Sequence, residues 1–172
     1  VDTQAIAQEI RRVKWELPEG VDEVQFVPLG MDGKRAWPFG ERFDRLLVVS
    51  PFVTEEFLTR IGLQGRTQYL VSRQESLREL DPAVLKGQWE CFTLDEGCDA
   101  ISPSEEGAPA PVSDQLSGLH TKLFVADAGW KAHVWTGSAN GTTAAFNGNV
   151  EFLVELIGKK AQFGVDATID DQ

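Results

Sequence analysis

One 32-residue stretch, 120–151, constrains this chain more than any other part of it. It opens His120-Thr121-Lys122-Leu123-Phe124-Val125-Ala126-Asp127, passes through Gly137-Ser138-Ala139-Asn140, and closes Asn149-Val150-Glu151. Side chains alternate along a strand, so an imidazole and an ammonium two residues apart share one face. Ser138 and Asn140 repeat that spacing just ahead of an expected helix. The groups suit an anionic phosphoryl pocket with a nucleophile already in it.

Each residue type has a chemical reason to be there. Neutral imidazole attacks phosphorus well near neutrality, which makes His120 the candidate nucleophile. Lys122 sets a positive charge against the phosphoryl oxygens, and Asn140 can donate amide hydrogen bonds to them. Gly137, Ser138 and Gly141 let the backbone come close. A helix starting near residue 140 would add its free N–H groups. Glu151 is the expected partner for the far nitrogen of His120, fixing its tautomer and stabilising the imidazolium. Asp127 reads as organising the turn of a hairpin rather than touching substrate.

The pattern His120-x-Lys122-x4-Asp127, then Gly-Ser-x-Asn, then Asn-x-Glu resembles the HKD signature of the phospholipase D superfamily. That superfamily includes lipid phosphodiesterases, metal-independent nucleases and related phosphotransferases. The preceding strand–helix order, with Val48-Val49-Ser50-Pro51-Phe52 at a strand end, extends the likeness over about 130 residues. One departure is visible: nine residues separate Asp127 from Gly137, longer than the family's common spacing. The extra residues fit at a hairpin tip, Gly129 to Ala132. The resemblance implies a phosphohistidine formed by one histidine while a second, from another HKD motif, protonates the leaving oxygen. It implies no metal and no cofactor. The chain has one motif, and His133 lacks the companions to be a second. The other half would come from a homodimer or from sequence beyond this chain.

The rest of the chain reads as α/β, a mixed sheet flanked by helices on both faces. Apolar residues at Ile6, Ile10, Val13 and Leu17 predict a helix over 2–17. Strands are expected at 24–29, 45–50, 67–72, 89–94, 119–126, 132–136 and 149–157. Arg45 to Ser50 has the continuous apolar run of a strand buried on both faces. Helices are expected at 54–61, with Thr54 as N-cap, at 76–86, broken near Pro82, and at 140–146. Asp127-Ala128-Gly129 supplies the hairpin turn signal.

The size fits one domain over 1–172. The chain has no initiator Met and stops soon after its last strand, so a fragment of a longer protein is expected. No apolar run reaches membrane-spanning length and no signal peptide is evident, so the expectation is a cytoplasmic protein without membrane insertion. Net charge is −11, and residues 87–121 carry seven acids and no base. The acidity is thus concentrated just ahead of His120, and the overall charge says little about the pocket. Residues 95–118 read as an acidic, solvated loop insertion, with a lid over the pocket as the sharper alternative. Cys91 and Cys98 read as free thiols, a disulfide between them being undecided by sequence.

The expected substrate is therefore a phosphodiester, DNA or RNA first. A lipid phosphodiesterase or transphosphatidylase is the alternative within enzymes. A non-catalytic dimerisation or nucleic-acid-binding module is the alternative outside them. Ser50 and Phe52 could line the cleft, although packing is the plainer role. His133, Trp130 and Trp135 read as hairpin packing.

Overall fold

The structure is a computed structural model describing residues 12–13, 16–31, 37–40, 42–93 and 119–169. The expected helix over 2–17 and the acidic segment 95–118, with Cys98, lie largely or wholly outside these residues. Cys91 is a free, exposed thiol.

Seven strands form one mixed sheet: β1 Val21–Leu29, β2 Phe43–Val49, β3 Gly65–Val71, β4 Trp89–Phe92, β5 Leu123–Ala128, β6 Lys131–Gly137 and β7 Glu151–Lys159. Their spatial order is β1-β7-β6-β5-β2-β3-β4. β2, β3 and β4 run parallel, and every other pair is antiparallel. The parallel part needs crossovers. These carry helix α1 Glu55–Gly62, then α2 Gln74–Arg78 and α3 Pro82–Leu85. Helix α4 Thr143–Asn147 joins β6 to β7, and α5 Lys160–Phe163 and α6 Val165–Ile169 follow β7.

The two faces are packed unequally. On one, Leu46, Val48, Leu70, Phe124, Ala126, Trp135 and Leu153 meet α1 and α4 through Phe57, Leu58, Ile61 and Phe146. Rings dominate this core: Phe39 meets Trp135 edge-on at 5.0 Å, and Phe57 stacks on Phe146 at 5.2 Å. Edge and offset arrangements match the ring quadrupoles, adding about 0.5–1.5 kcal/mol per pair beyond burial. On the other face Leu47 and Val125 pack under Val165 of α6. β2 is thus buried on both sides, as its apolar run predicts.

Several boundaries differ from the sequence expectation. The ladder of β5 begins at Leu123, not Leu119. The hairpin turn is Gly129-Trp130, with Gly129 at φ 63°, a left-handed value that glycine adopts freely. Lys131 and Ala132 are already in β6, so the extra motif residues lengthen the ladder instead of swelling the tip. Asp127 lies inside β5, paired with Ala132 and Arg45, and takes no part in the turn. The stretch expected as one broken helix over 76–86 is two short ones. Asp81 caps the second by accepting from Ala83 N at 2.8 Å, and Pro82 occupies its first turn, where a missing N–H costs nothing. Thr54 precedes α1 but makes no side-chain cap. Its hydroxyl instead accepts from Thr143 N at 3.0 Å, tying α1 to α4.

Candidate active site

The pairing registers bring the motif residues to one end of the sheet. β2 and β5 are antiparallel with Val49 opposite Leu123, so β2 leaves the sheet where the His120–Lys122 segment enters it. Leu123 also lies opposite Thr136, and Gly137 opposite Leu153. Ser138 and Asn140, which follow β6, and Glu151, which opens β7, therefore reach the same end. Residues 31 apart in sequence share a rim because β5, β6 and β7 begin or end there.

His120 is exposed and follows the buried Leu119. The Leu119 carbonyl accepts from Arg73 Nε at 3.2 Å, and the Lys122 carbonyl accepts from Thr136 Oγ1 at 3.2 Å. The approach to β5 is therefore held on both sides of His120 without being part of the ladder. Lys122 Nζ donates to the His120 carbonyl at 3.0 Å, which keeps the ammonium beside its motif partner.

Ser138 couples the neighbouring strand ends. Its N–H donates to the Phe152 carbonyl and its hydroxyl accepts from Phe152 N, each at 3.0 Å. The same hydroxyl donates to the Glu151 carboxylate, whose other oxygen accepts from Asn149 Nδ2 at 3.3 Å. Among the described residues Glu151 is thus engaged by Ser138 and Asn149, and its expected pairing with His120 remains a proposal. Asn149, the first residue of the Asn-x-Glu pattern, orients this carboxylate. Gly137 is required by space: a Cβ there would lie 2.0 Å from the Phe152 carbonyl oxygen.

Asn140 sits in a braced loop rather than on a helix. α4 starts at Thr143 with Thr142 as its own cap, so the expected helix N-terminus at residue 140 is absent. Gly141 bridges to Val53, and its N–H donates to the buried Ser50 hydroxyl at 2.9 Å. Ser50 in turn donates to the Phe52 carbonyl at 2.7 Å, and its own carbonyl accepts from Ser72 Oγ at 2.7 Å. Asn140 Oδ1 is buried with no hydrogen-bond partner. An amide end left without a partner costs about 1–3 kcal/mol, a loss that a bound ligand group could recover.

Asp127 lies elsewhere. It follows Leu123 and Val125 in strand parity, so it faces the side of the sheet opposite Phe124 and Ala126. There it is fully buried and accepts from Arg45 Nε at 3.0 Å and from Val165 N at 3.1 Å. Arg45 also makes a two-pronged pair with Asp166, which raises the guanidinium pKa and lowers that of Asp166. The third motif residue is therefore a clasp for the C-terminal helices.

His133 is half-buried, with Nδ1 2.7 Å from the buried Glu155 carboxylate, and it stacks on Trp135. Trp135 is a core residue, whereas Trp130 at the hairpin tip is largely exposed. Ser50, for which the sequence left cleft lining open beside packing, is buried and braces the Asn140 loop, whereas Arg73 is a support that sequence reasoning did not assign. Ser50-Pro51 at a strand end was a visible signal, but nothing local marks Arg73. Among the described residues no group of His, Cys, Asp and Glu is placed to hold a metal ion, and no helix is long and apolar enough to cross a membrane.

No protein-family model matches the sequence, and no curated protein matches it. Solved structures do. Yeast tyrosyl-DNA phosphodiesterase superposes with a TM-score of 0.52 at 15% identity, over 77% of this chain and 31% of that one. The chain thus spans about a third of that protein. NucT from Helicobacter pylori superposes with a TM-score of 0.50 at 15% identity, over 78% of this chain and 86% of that one. Both are phospholipase D superfamily members. The seven-stranded mixed sheet with its rim of motif residues has the phospholipase D-like fold.

Proposed function

We propose that this chain supplies one half of a phosphodiesterase site that acts on nucleic acid through a phosphohistidine. The observation that carries the reading is the convergence of His120, Lys122, Asn140 and the Ser138–Glu151 pair on one sheet end. That the similar structures include a tyrosyl-DNA phosphodiesterase favours a nucleic-acid diester over a lipid one.

In this reading an imidazole nitrogen of His120 attacks phosphorus. A P–N bond forms as the P–O bond to the leaving group breaks, and the histidine of a second HKD half gives its proton to the departing oxygen. Lys122 and the Asn140 amide hold the charge that the non-bridging oxygens carry through the transition state. Glu151, oriented by Ser138 and Asn149, steadies the His120 imidazolium. Water, deprotonated by the second histidine, then attacks phosphorus and breaks the P–N bond, leaving a monoester and free His120. One chain provides one histidine of the pair, so the second comes from another copy or from further sequence of the same protein.

The test is cleavage of single- and double-stranded DNA in EDTA by wild type and His120→Ala, with self-association followed by sedimentation. Wild-type cleavage that disappears in a folded His120→Ala supports the proposal. Cleavage of phosphatidylcholine in place of DNA assigns the site to lipid diesters. Wild type and variant equally inert on every diester would leave a binding module.

A further inference from the structure

We infer that Phe52 and Arg73 form a stacking platform beside His120 for a base flanking the scissile phosphate of a single-stranded nucleic acid. The inference rests on the nucleic-acid reading above and names how that site would hold its substrate.

Position comes first. β2 and β3 are parallel neighbours with Val49 opposite Val71, and Val49 is also opposite Leu123 of β5. Phe52 and Arg73 therefore leave the sheet at the end where the His120 segment enters it. Both are tied to the motif by hydrogen bonds. The Phe52 carbonyl accepts from Ser50 Oγ, which also holds the N–H of Gly141, next to Asn140. Arg73 Nε holds the carbonyl of Leu119, next to His120.

The side chains are left for a ligand. The carbonyl of Phe52 is pinned, yet the residue is 52% exposed. The Arg73 guanidinium carbon lies 5.1 Å from the centroid of that ring, within cation–π range. Arg73 spends only Nε on protein; its two terminal nitrogens make no hydrogen bond or ion pair among the described residues. A rigid exposed ring with a cation against it suits a planar, polarisable partner with a phosphate attached. Base stacking on aromatic side chains tolerates any sequence because every base has a π-face. An acyl chain fits poorly, since burying it on this ring would strip water from the guanidinium.

The experiment compares binding of the full chain to labelled oligothymidylate and to the same backbone carrying abasic residues, by fluorescence anisotropy. Wild type should prefer the base-bearing strand by about tenfold. Phe52→Ala should erase the preference and Phe52→Trp should restore it. Arg73→Gln should weaken binding of both strands and flatten the salt dependence. Circular dichroism and thermal melting confirm folding. Equal wild-type affinity for both strands, or a preference unchanged in Phe52→Ala, overturns the platform. So does binding of phosphatidylglycerol vesicles in place of either strand. Wild type that discriminates the strands yet, as a self-associated dimer, cleaves neither would sink the phosphodiesterase reading and leave the platform standing.

Discussion

Asp127 accepts a hydrogen bond from Arg45 at 3.0 Å across the β5–β2 pair, on the sheet face opposite Phe124 and Ala126. The carboxylate is buried, the guanidinium partly so, and the second carboxylate oxygen holds the first N–H of α6. The last residue of the His-x-Lys-x4-Asp pattern thus lies within the β5 ladder, whereas the first two precede it. Asp127→Ala should destabilise the chain by about 2–4 kcal/mol, because it leaves a charge and an N–H without their buried partner. Urea unfolding measures this. Catalytic activity of the fraction that stays folded should remain within a few-fold of wild type; a loss of kcat as deep as that of His120→Ala would contradict a purely structural Asp127.

The pair between Arg45 and Asp166 gives the C-terminal clasp a pH dependence. The hydrogen bond from Arg45 holds the Asp166 pKa below its ordinary value. The folded chain therefore takes up this proton less readily than the unfolded chain. Its contribution to stability is complete above about pH 4, the ordinary aspartate range, and declines as pH falls through the lowered folded value. Melting curves below pH 4 should fall more steeply for wild type than for Asp166→Asn, and the two should run parallel from pH 5 to 7. Parallel curves throughout would remove Asp166 from the clasp.

Ser50 joins the loop after β2 to the loop after β6, beside the Val53–Gly141 bridge. Its replacement by Ala leaves the Gly141 N–H unsatisfied, at a cost of about 1–2 kcal/mol. Because Gly141 adjoins Asn140, the larger effect should fall on chemistry, with kcat reduced about tenfold or more and KM changed less. Steady-state kinetics on an oligonucleotide separates the two. A pure stability change with intact kcat would make Ser50 a core residue only.

Gly137 offers a steric test of the rim. An added Cβ would meet the Phe152 carbonyl oxygen at 2.0 Å, at the end of the β6–β7 pair next to Ser138 and Glu151. Gly137→Ala should cost on the order of 3 kcal/mol or split the end of the β6–β7 ladder. Amide exchange at Ser138 and Phe152 reports the second outcome. A variant as stable as wild type, with both amides protected, would show that the strands separate freely.

Much of this architecture was legible in local patterns. The apolar run Leu46-Leu47-Val48-Val49 marks a strand covered on both sides, and β2 is covered by Phe57 on one face and Val165 on the other. The Gly137-Ser138 and Asn149–Glu151 pieces were legible because their spacing reflects local geometry. Element ends were less so. Leu119 is apolar like a strand residue, but its carbonyl is taken by Arg73, so the ladder begins four residues later. Thr54 has the composition of an N-cap, yet its hydroxyl serves a helix 89 residues away.

By itself the sequence of residues 120–151 determined which chemical groups are present and which residues of β5 and β6 share a face, because strand alternation and short turns act within a few residues; His120 and Lys122 precede that ladder. It could not determine what those groups face across the sheet. Asp127 reads as a turn residue from its neighbours, but the extra residues of the hairpin went into the ladder and carried the turn to Gly129-Trp130. The charge of Arg45 then found Asp127 from 82 residues away. Ser50, Arg73 and Phe52 joined the rim by the same route: the register that sets Val49 against Leu123 was chosen by burial of the whole sheet, and no local stretch of sequence encodes it.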